Sequence, residues 1–176
     1  MPEFDLAAIR LVGFDVDGVL TDGRIIIDDE GRETKNFCSR DGLGLRILRR
    51  AGLDVVLITG RERRLLEIRA RDLGISEIHQ GIEDKWTVLE NVLKRKNLSP
   101  QEAAFAGDDL IDLPVLTRVG LALAPADAVP EVLAVAHFVA QAPGGRGAVR
   151  QMIEFILKGQ GRWDEVLRFY RPPASA

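Results

Sequence analysis

The sequence predicts an α/β fold, a parallel sheet covered by helices on both faces, and three observations carry that prediction. Short apolar runs of strand length alternate with stretches of helical periodicity along the chain. Three of those runs end in chemically useful residues: Asp15 after residues 9–14, Thr59 after 53–58, and Gly107-Asp108 after 103–106. In sheets of this kind ligands bind at the carboxyl ends of the strands, near a topological switch point, so the three endings belong on one edge.

Taken in order, residues 9–14 (IRLVGF) read as the first strand and run straight into the acid pair Asp15 and Asp17. Residues 24–28 and 34–38 read as the arms of a β-hairpin turning through 29–32. Its first arm holds Ile25, Ile26 and Ile27, too apolar for a solvated flap. A lone two-stranded hairpin is marginal in water, so a packing partner is expected, either the parent domain or a neighbouring subunit. A helix over 42–50 carries Leu45, Ile47 and Leu48, and a strand follows at 53–58. A helix over 61–73 carries Leu65, Leu66, Ile68 and Leu73, before a short strand at 77–80. Residues 85–96 place Trp86, Leu89, Val92 and Leu93 at helical offsets, with Asp84 as N-cap. Ser99-Pro100-Gln101-Glu102 is a capping box ahead of the strand at 103–106. Shorter helices are expected over 109–119 and 129–134, and short strands over 120–122 and 137–139. A helix over 147–158 has a broad apolar face of Val149, Met152, Ile153, Phe155 and Ile156. The expected organisation is one domain over 1–158, including the hairpin at 24–38, and a tail over 159–176 that is disordered or docks through Trp163, Phe169 and Tyr170.

At 176 residues the chain is long enough for one domain with a real core. A net charge of -3, with no basic stripe, argues against a nucleic-acid partner. No apolar run approaches the ~18 residues of a membrane span, and no signal peptide is evident. One cysteine, Cys38, excludes an internal disulfide and fits a reducing compartment, so a cytoplasmic location is expected.

Two carboxylates at the mouth of an apolar strand demand a partner. At ~4 Å and an effective dielectric of ~20 they repel by ~4 kcal/mol. If Asp15 is a nucleophile toward phosphorus, an aspartyl-phosphate splits a hard hydrolysis into two easier steps. Oxygen ligands imply a hard cation, most simply Mg²⁺, to bridge Asp15 and a phosphate. Asp108 supplies a second side-chain ligand and the Asp17 carbonyl a third. Asp17 is placed to protonate the leaving alkoxide and then to take a proton from the attacking water, which needs a raised pKa. Thr59 offers a hydroxyl, Gly60 a close backbone approach and Lys85 a cation for the phosphoryl oxygens, the electrostatic clamp that phosphoryl transfer requires.

These residues resemble a known family. DVDGVLTDG, the TGR of residues 59–61, Lys85 and GDDLIDLP at 107–114 are similar to the four motifs of the haloacid dehalogenase superfamily. The hairpin, RDGLGL at 40–45, QGIEDK at 80–85 and GGRGAVRQ at 144–151 further resemble the 3-deoxy-D-manno-octulosonate 8-phosphate phosphatases. The resemblance covers nearly the whole chain. It implies a Rossmann-like, cap-less fold, Mg²⁺-dependent hydrolysis of a phosphorylated eight-carbon sugar acid on the pathway to lipopolysaccharide, and a homotetramer. In that tetramer the hairpins meet centrally and C-terminal segments reach a neighbour's site. Carried over, Asp15 is nucleophile, Asp17 acid/base, Thr59 and Lys85 phosphate ligands, and Asp15, Asp17 and Asp108 the metal site. Arg61 is a candidate for the sugar acid's carboxylate. The chain departs from the family pattern at Arg63, where relatives tend to carry a small residue, and at Gln151, where a glutamate is usual.

The residues support the cap-less reading independently. Between Asp17 and Thr59 there is room for a hairpin and a helix, and between Thr59 and Lys85 for one helix and one strand. The pocket is therefore open or closed by another subunit. Other residues admit plainer readings. Asp112 is a candidate to hold Lys85 or a metal-bound water, Asp109 to cap a helix, and Asp22 to shape a turn. Gly144-Gly145-Arg146-Gly147 is either a plain connection or, the reading preferred here, a backbone anion site at a helix N-terminus with Arg146 on the substrate. His79, His137 and Cys38 read as structural. Two other functions compete with this reading: a phosphatase for nine-carbon, sialic-acid-type 9-phosphates, and a phospho-receiver signalling domain. In a receiver the acidic pair precedes the phosphoacceptor, and no acid is needed two residues beyond it, so the order here favours turnover.

Overall fold

The alternating apolar runs line up as six parallel strands, because each carries side chains that must be buried on both faces. The computed structural model describes residues 4–171. The strands are β1 (Leu11–Phe14), β4 (Asp54–Ile58), β5 (Glu77–His79), β6 (Ala103–Ala106), β7 (Leu121–Ala124) and β8 (Phe138–Val139), in the spatial order β5-β4-β1-β6-β7-β8. All neighbours are parallel. From β1 the chain builds outward to β4 and β5, then crosses back to place β6 on the other side of β1. The switch point therefore lies between β1 and β6, where Asp15 and Asp108 emerge.

Successive strand residues serve opposite layers, as the period of two requires. Val12, Phe14, Leu57, Leu121 and Leu123 pack toward α1 (Ser39–Arg50), α2 (Arg64–Leu73) and α6 (Ala148–Gly159), where they meet Leu45, Leu66, Met152 and Ile153. Leu11, Val56, Ile58 and Phe105 pack toward α3 (Lys85–Lys96), α4 (Leu113–Leu116) and α5 (Pro130–Val135), where they meet Leu89, Val92, Leu116 and Val132. Gly13 is required for this packing: a Cβ there would lie 2.5 Å from the Phe105 ring.

Helix ends follow sequence chemistry. Asp84 caps α3 by accepting from Thr87 N at 3.1 Å, and Gly74, in the left-handed region, closes α2. The Ser99–Glu102 capping box is present, opening a 3₁₀ turn. The single helix expected over 109–119 is instead a 3₁₀ turn, Leu110–Asp112, followed by the four-residue α4. Pro114 can donate no backbone hydrogen bond, and Asp112 turns its carboxylate back to the loop instead of leaving the helix face free.

The hairpin is shorter than expected. Only β2 (Ile26–Ile27) and β3 (Glu33–Thr34) pair, antiparallel, because Asp28 gathers the turn onto its own carboxylate, accepting from Glu30 N and Arg32 N at 3.0 and 2.8 Å. Ile25, Ile26 and Ile27 are 59%, 42% and 59% exposed, so this chain alone does not cover them. The tail forms α7 (Trp163–Tyr170), docked on α6 with Arg150 and Lys158 over the Trp163 ring and Arg50 over Phe169. Its last residues, from Pro172 on, lie outside the described residues. Among the described residues, no helix is long and apolar enough to cross a membrane.

Candidate active site

The ends of β1, β4 and β6 bring the sequence-predicted residues together. Asp15 continues β1, its N–H donating to Ala106 O at 2.9 Å, and its side chain is buried. Lys85, first residue of α3, is buried to 1% exposure and reaches under the sheet edge. Its Nζ lies 2.9 Å from Asp15 Oδ1 and 2.6 Å from Asp112 Oδ1. Burial pulls the Lys85 pKa down, but Asp15 and Asp112 outweigh it and hold the ammonium above its ordinary value. Burial, then the charge of Asp112, push Asp15 up to about 6 against the pull of Lys85.

Asp112 does two jobs. It fixes Lys85 through Oδ1, and through Oδ2 it accepts from Asp108 N at 3.0 Å, shaping the loop after β6. Gly107 makes room for it: a Cβ there would lie 2.5 Å from Asp112 Cβ. Asp109 caps the following 3₁₀ turn, accepting from Leu110 N at 2.7 Å.

Asp108 faces Asp15 across the switch point. Its Oδ1 is buried with no hydrogen-bond partner, and burial, then the charges of Asp15 and Asp112, push its pKa up to about 8. Carboxylate oxygens of Asp15, Asp108 and Asp112 lie within 4.8 Å of one another. The expected set named Asp15 and Asp108 with Asp17 through its backbone carbonyl, so this side-chain cluster bears only on the first two. The Asp17 side chain is turned to the hairpin, where Lys35 Nζ donates to Oδ1, while Oδ2 is buried and unpartnered. Since both Asp112 oxygens already accept hydrogen bonds, Asp15 and Asp108 are the side chains with capacity left for a cation. An orphaned buried carboxylate oxygen and a raised carboxyl pKa are what a hard divalent ion would relieve, so the donor set fits Mg²⁺.

Thr59 directly follows β4, with its hydroxyl accepting from Arg61 N at 3.3 Å, and the loop is tied back by Ile82 N donating to Thr59 O at 3.1 Å. A Cβ at Gly60 would meet only Ile82 O, at 3.6 Å, so the backbone there is open to a ligand. Arg61 reaches the hairpin: its Nη2 donates to Glu33 Oε2 at 2.8 Å, and Arg63 Nε donates to the same oxygen at 2.6 Å.

The preferred reading of Gly144–Gly147 needs correcting. An anion does sit at the N-terminus of α6, but it is the chain's own Asp41, which accepts from Gly147 N at 3.0 Å and Arg150 N at 2.8 Å. Gly144 and Gly145 instead pack on the loop after β1, where a Cβ on Gly144 would lie 1.7 Å from Gly18 O. Arg146 is turned outward, its side chain 59% exposed and 3.8 Å from Asp22. Glu33, Lys35 and Asp41 were not singled out from sequence. Glu33 and Lys35 alternate on the polar second arm of the hairpin, a period-two signal that could have marked them.

Comparison with known proteins gives the family. A model of haloacid dehalogenase-like hydrolases matches residues 67–153. A 3-deoxy-D-manno-octulosonate 8-phosphate phosphatase from Yersinia pestis is 47% identical over 156 residues, spanning 89% of this chain and 83% of the relative. The counterpart from Escherichia coli K12 is 43% identical over 157 residues, spanning 89% and 84%. The crystal structure of the Moraxella catarrhalis phosphatase, in complex with magnesium ion, phosphate ion and KDO, matches with a TM-score of 0.92 at 38% identity over 95% of this chain and 96% of that one. The chain belongs to the haloacid dehalogenase-like hydrolases and, within them, to the 3-deoxy-D-manno-octulosonate 8-phosphate phosphatase family.

Proposed function

We propose that the chain is a Mg²⁺-dependent phosphatase that hydrolyses 3-deoxy-D-manno-octulosonate 8-phosphate to the free sugar acid and phosphate. The observation that carries this is the buried Asp15–Lys85–Asp112 line facing the unpartnered Asp108 oxygen at the switch point. The close relatives act on, or are solved with, the corresponding compounds.

In this reading an Asp15 oxygen bonds to phosphorus as the ester O–P bond breaks, and Asp17 gives its proton to the departing alkoxide. Water then attacks the phosphorus of the aspartyl-phosphate, its proton passes to Asp17, and the Asp15 carboxylate is released. Lys85 holds Asp15 in line, and with Thr59 and the Gly60 backbone faces the phosphoryl oxygens. One Asp17 oxygen is held by Lys35, leaving the unpartnered Oδ2 for the proton. Asp15, Asp108 and the Asp17 carbonyl would hold Mg²⁺, which offsets the repulsion between carboxylate and phosphate. Arg61 takes the sugar acid's carboxylate, and Arg146 stays a candidate at the outer rim. The domain spans 1–158, with 159–176 as an appended tail.

The exposed isoleucine hairpin supports a homotetramer, and a single cysteine, Cys38, together with a phosphorylated metabolite as substrate supports a cytoplasmic setting. Sedimentation at micromolar concentration is expected to give a tetramer, and a monomer would remove that assembly. For the activity, phosphate release from octulosonate 8-phosphate is expected with Mg²⁺, and none with EDTA or in D15N. Stoichiometric phosphorylation without turnover would refute hydrolysis.

A further inference from the structure

The hairpin places an acid among the cations at the site's mouth. Glu33 lies in β3, and Lys35, two residues on, leaves the same face of the arm. The Glu33 side chain is 9% exposed, and its Oε2 accepts from both Arg61 Nη2 and Arg63 Nε. Its Oε1 is buried with no hydrogen-bond partner, 3.9 Å from Lys35 Nζ, which itself bonds Asp17. Three cations thus surround one carboxylate, and two of them lead into the site, Lys35 through its bond to Asp17 and Arg61 through its backbone N–H on the Thr59 hydroxyl. The hydrogen bond from Arg63, which outweighs the effect of burial, holds the Glu33 carboxyl below its ordinary range.

A guanidinium presents five N–H donors in a rigid planar fork. Arg61 spends one of them on Glu33 and keeps its side chain 29% exposed, so the contact fixes its direction without using up its donors. Left alone after β4, a side chain with four rotatable bonds would have to be ordered by the ligand itself. We infer that Glu33 is a positioning residue for substrate recognition, aiming Arg61 and Arg63 together so that the mouth selects phosphate esters that also bear a carboxylate. This rests on the sugar-acid reading above. It also runs against simple charge counting, because removing a negative group next to an anion site should tighten anion binding.

The test compares wild type, E33Q and E33D with Mg²⁺ on octulosonate 8-phosphate and on p-nitrophenyl phosphate, which has no carboxylate. In E33Q the ratio of kcat/KM for the sugar acid to that for the aryl ester should fall about five- to tenfold, the size expected when one long side chain must be ordered on binding. The loss should lie in KM, and E33D should recover part of it. An E33Q ratio that is unchanged or raised, or a parallel loss on both substrates, overturns the role of Glu33 while leaving the substrate reading intact. A wild-type enzyme showing no preference for the sugar acid overturns both.

Discussion

Asp112 and Asp41 look alike by burial, at 0% and 2% exposure, and each accepts two backbone N–H groups at the start of a helical segment. Their surroundings set them apart. Asp112 also holds Lys85, which Asp15 shares, so its charge belongs to the same three-group line as the reacting carboxylate. Asp41 has backbone amides as its main partners and ties α1 to α6 across 106 residues of chain. Burial raises its pKa, and the hydrogen bonds from Arg150 N and Gly147 N offset only part of that rise. The difference teaches that a buried acid in this fold is either balanced within the site or used to staple the frame around it. Only the first kind is tied to the chemistry.

The largest break in that comparison comes from Lys85→Met. It removes the one cation between Asp15 and Asp112 and leaves two buried carboxylates facing each other. Breaking a buried pair on one side costs about 3–5 kcal/mol, so the urea midpoint of the metal-free protein should fall steeply and phosphate release should be lost. A stable but inactive variant would mean that the pair orients Asp15 without supporting the fold.

The same contrast explains what was legible beforehand. The six strands and the cap-less outline could be read from local apolar runs, and so could Asp15, Thr59 and Asp108, which follow such runs and are gathered by the sheet rule. Lys85 instead stands at the start of a periodic helix behind its Asp84 cap. The link from Asp112 to Lys85 was among the readings because both residues sit in recognisable stretches. Glu33, Lys35 and Asp41 were not readable in the same way. Their partners are Arg61 and Arg63, Asp17, and the backbone at 147–150, contacts made by tertiary packing between elements far apart in sequence. The filled N-terminus of α6 shows the limit most clearly. GGRG before an apolar helix announces an anion, and sequence alone does not say that the protein supplies it.

The smallest effect, and the sharpest on the comparison, belongs to Asp41→Asn. Asparagine keeps one acceptor oxygen for the amides of Gly147 or Arg150, so the loss should resemble that of a helix cap, about 1 kcal/mol. Its pH dependence separates Asp41 from an ordinary cap. Because the folded-state pKa is raised above that of an ordinary aspartate, folded protein binds this proton more tightly than unfolded protein does. The stability tied to that proton is fully present below the ordinary carboxylate range and drains away as pH climbs through the raised value. Asparagine cannot titrate, so the gap between wild type and D41N should narrow in urea titrations as pH rises above the ordinary carboxylate range. A gap that widens instead would mean the ionised carboxylate is favoured at the helix N-terminus, making Asp41 a charge-assisted cap.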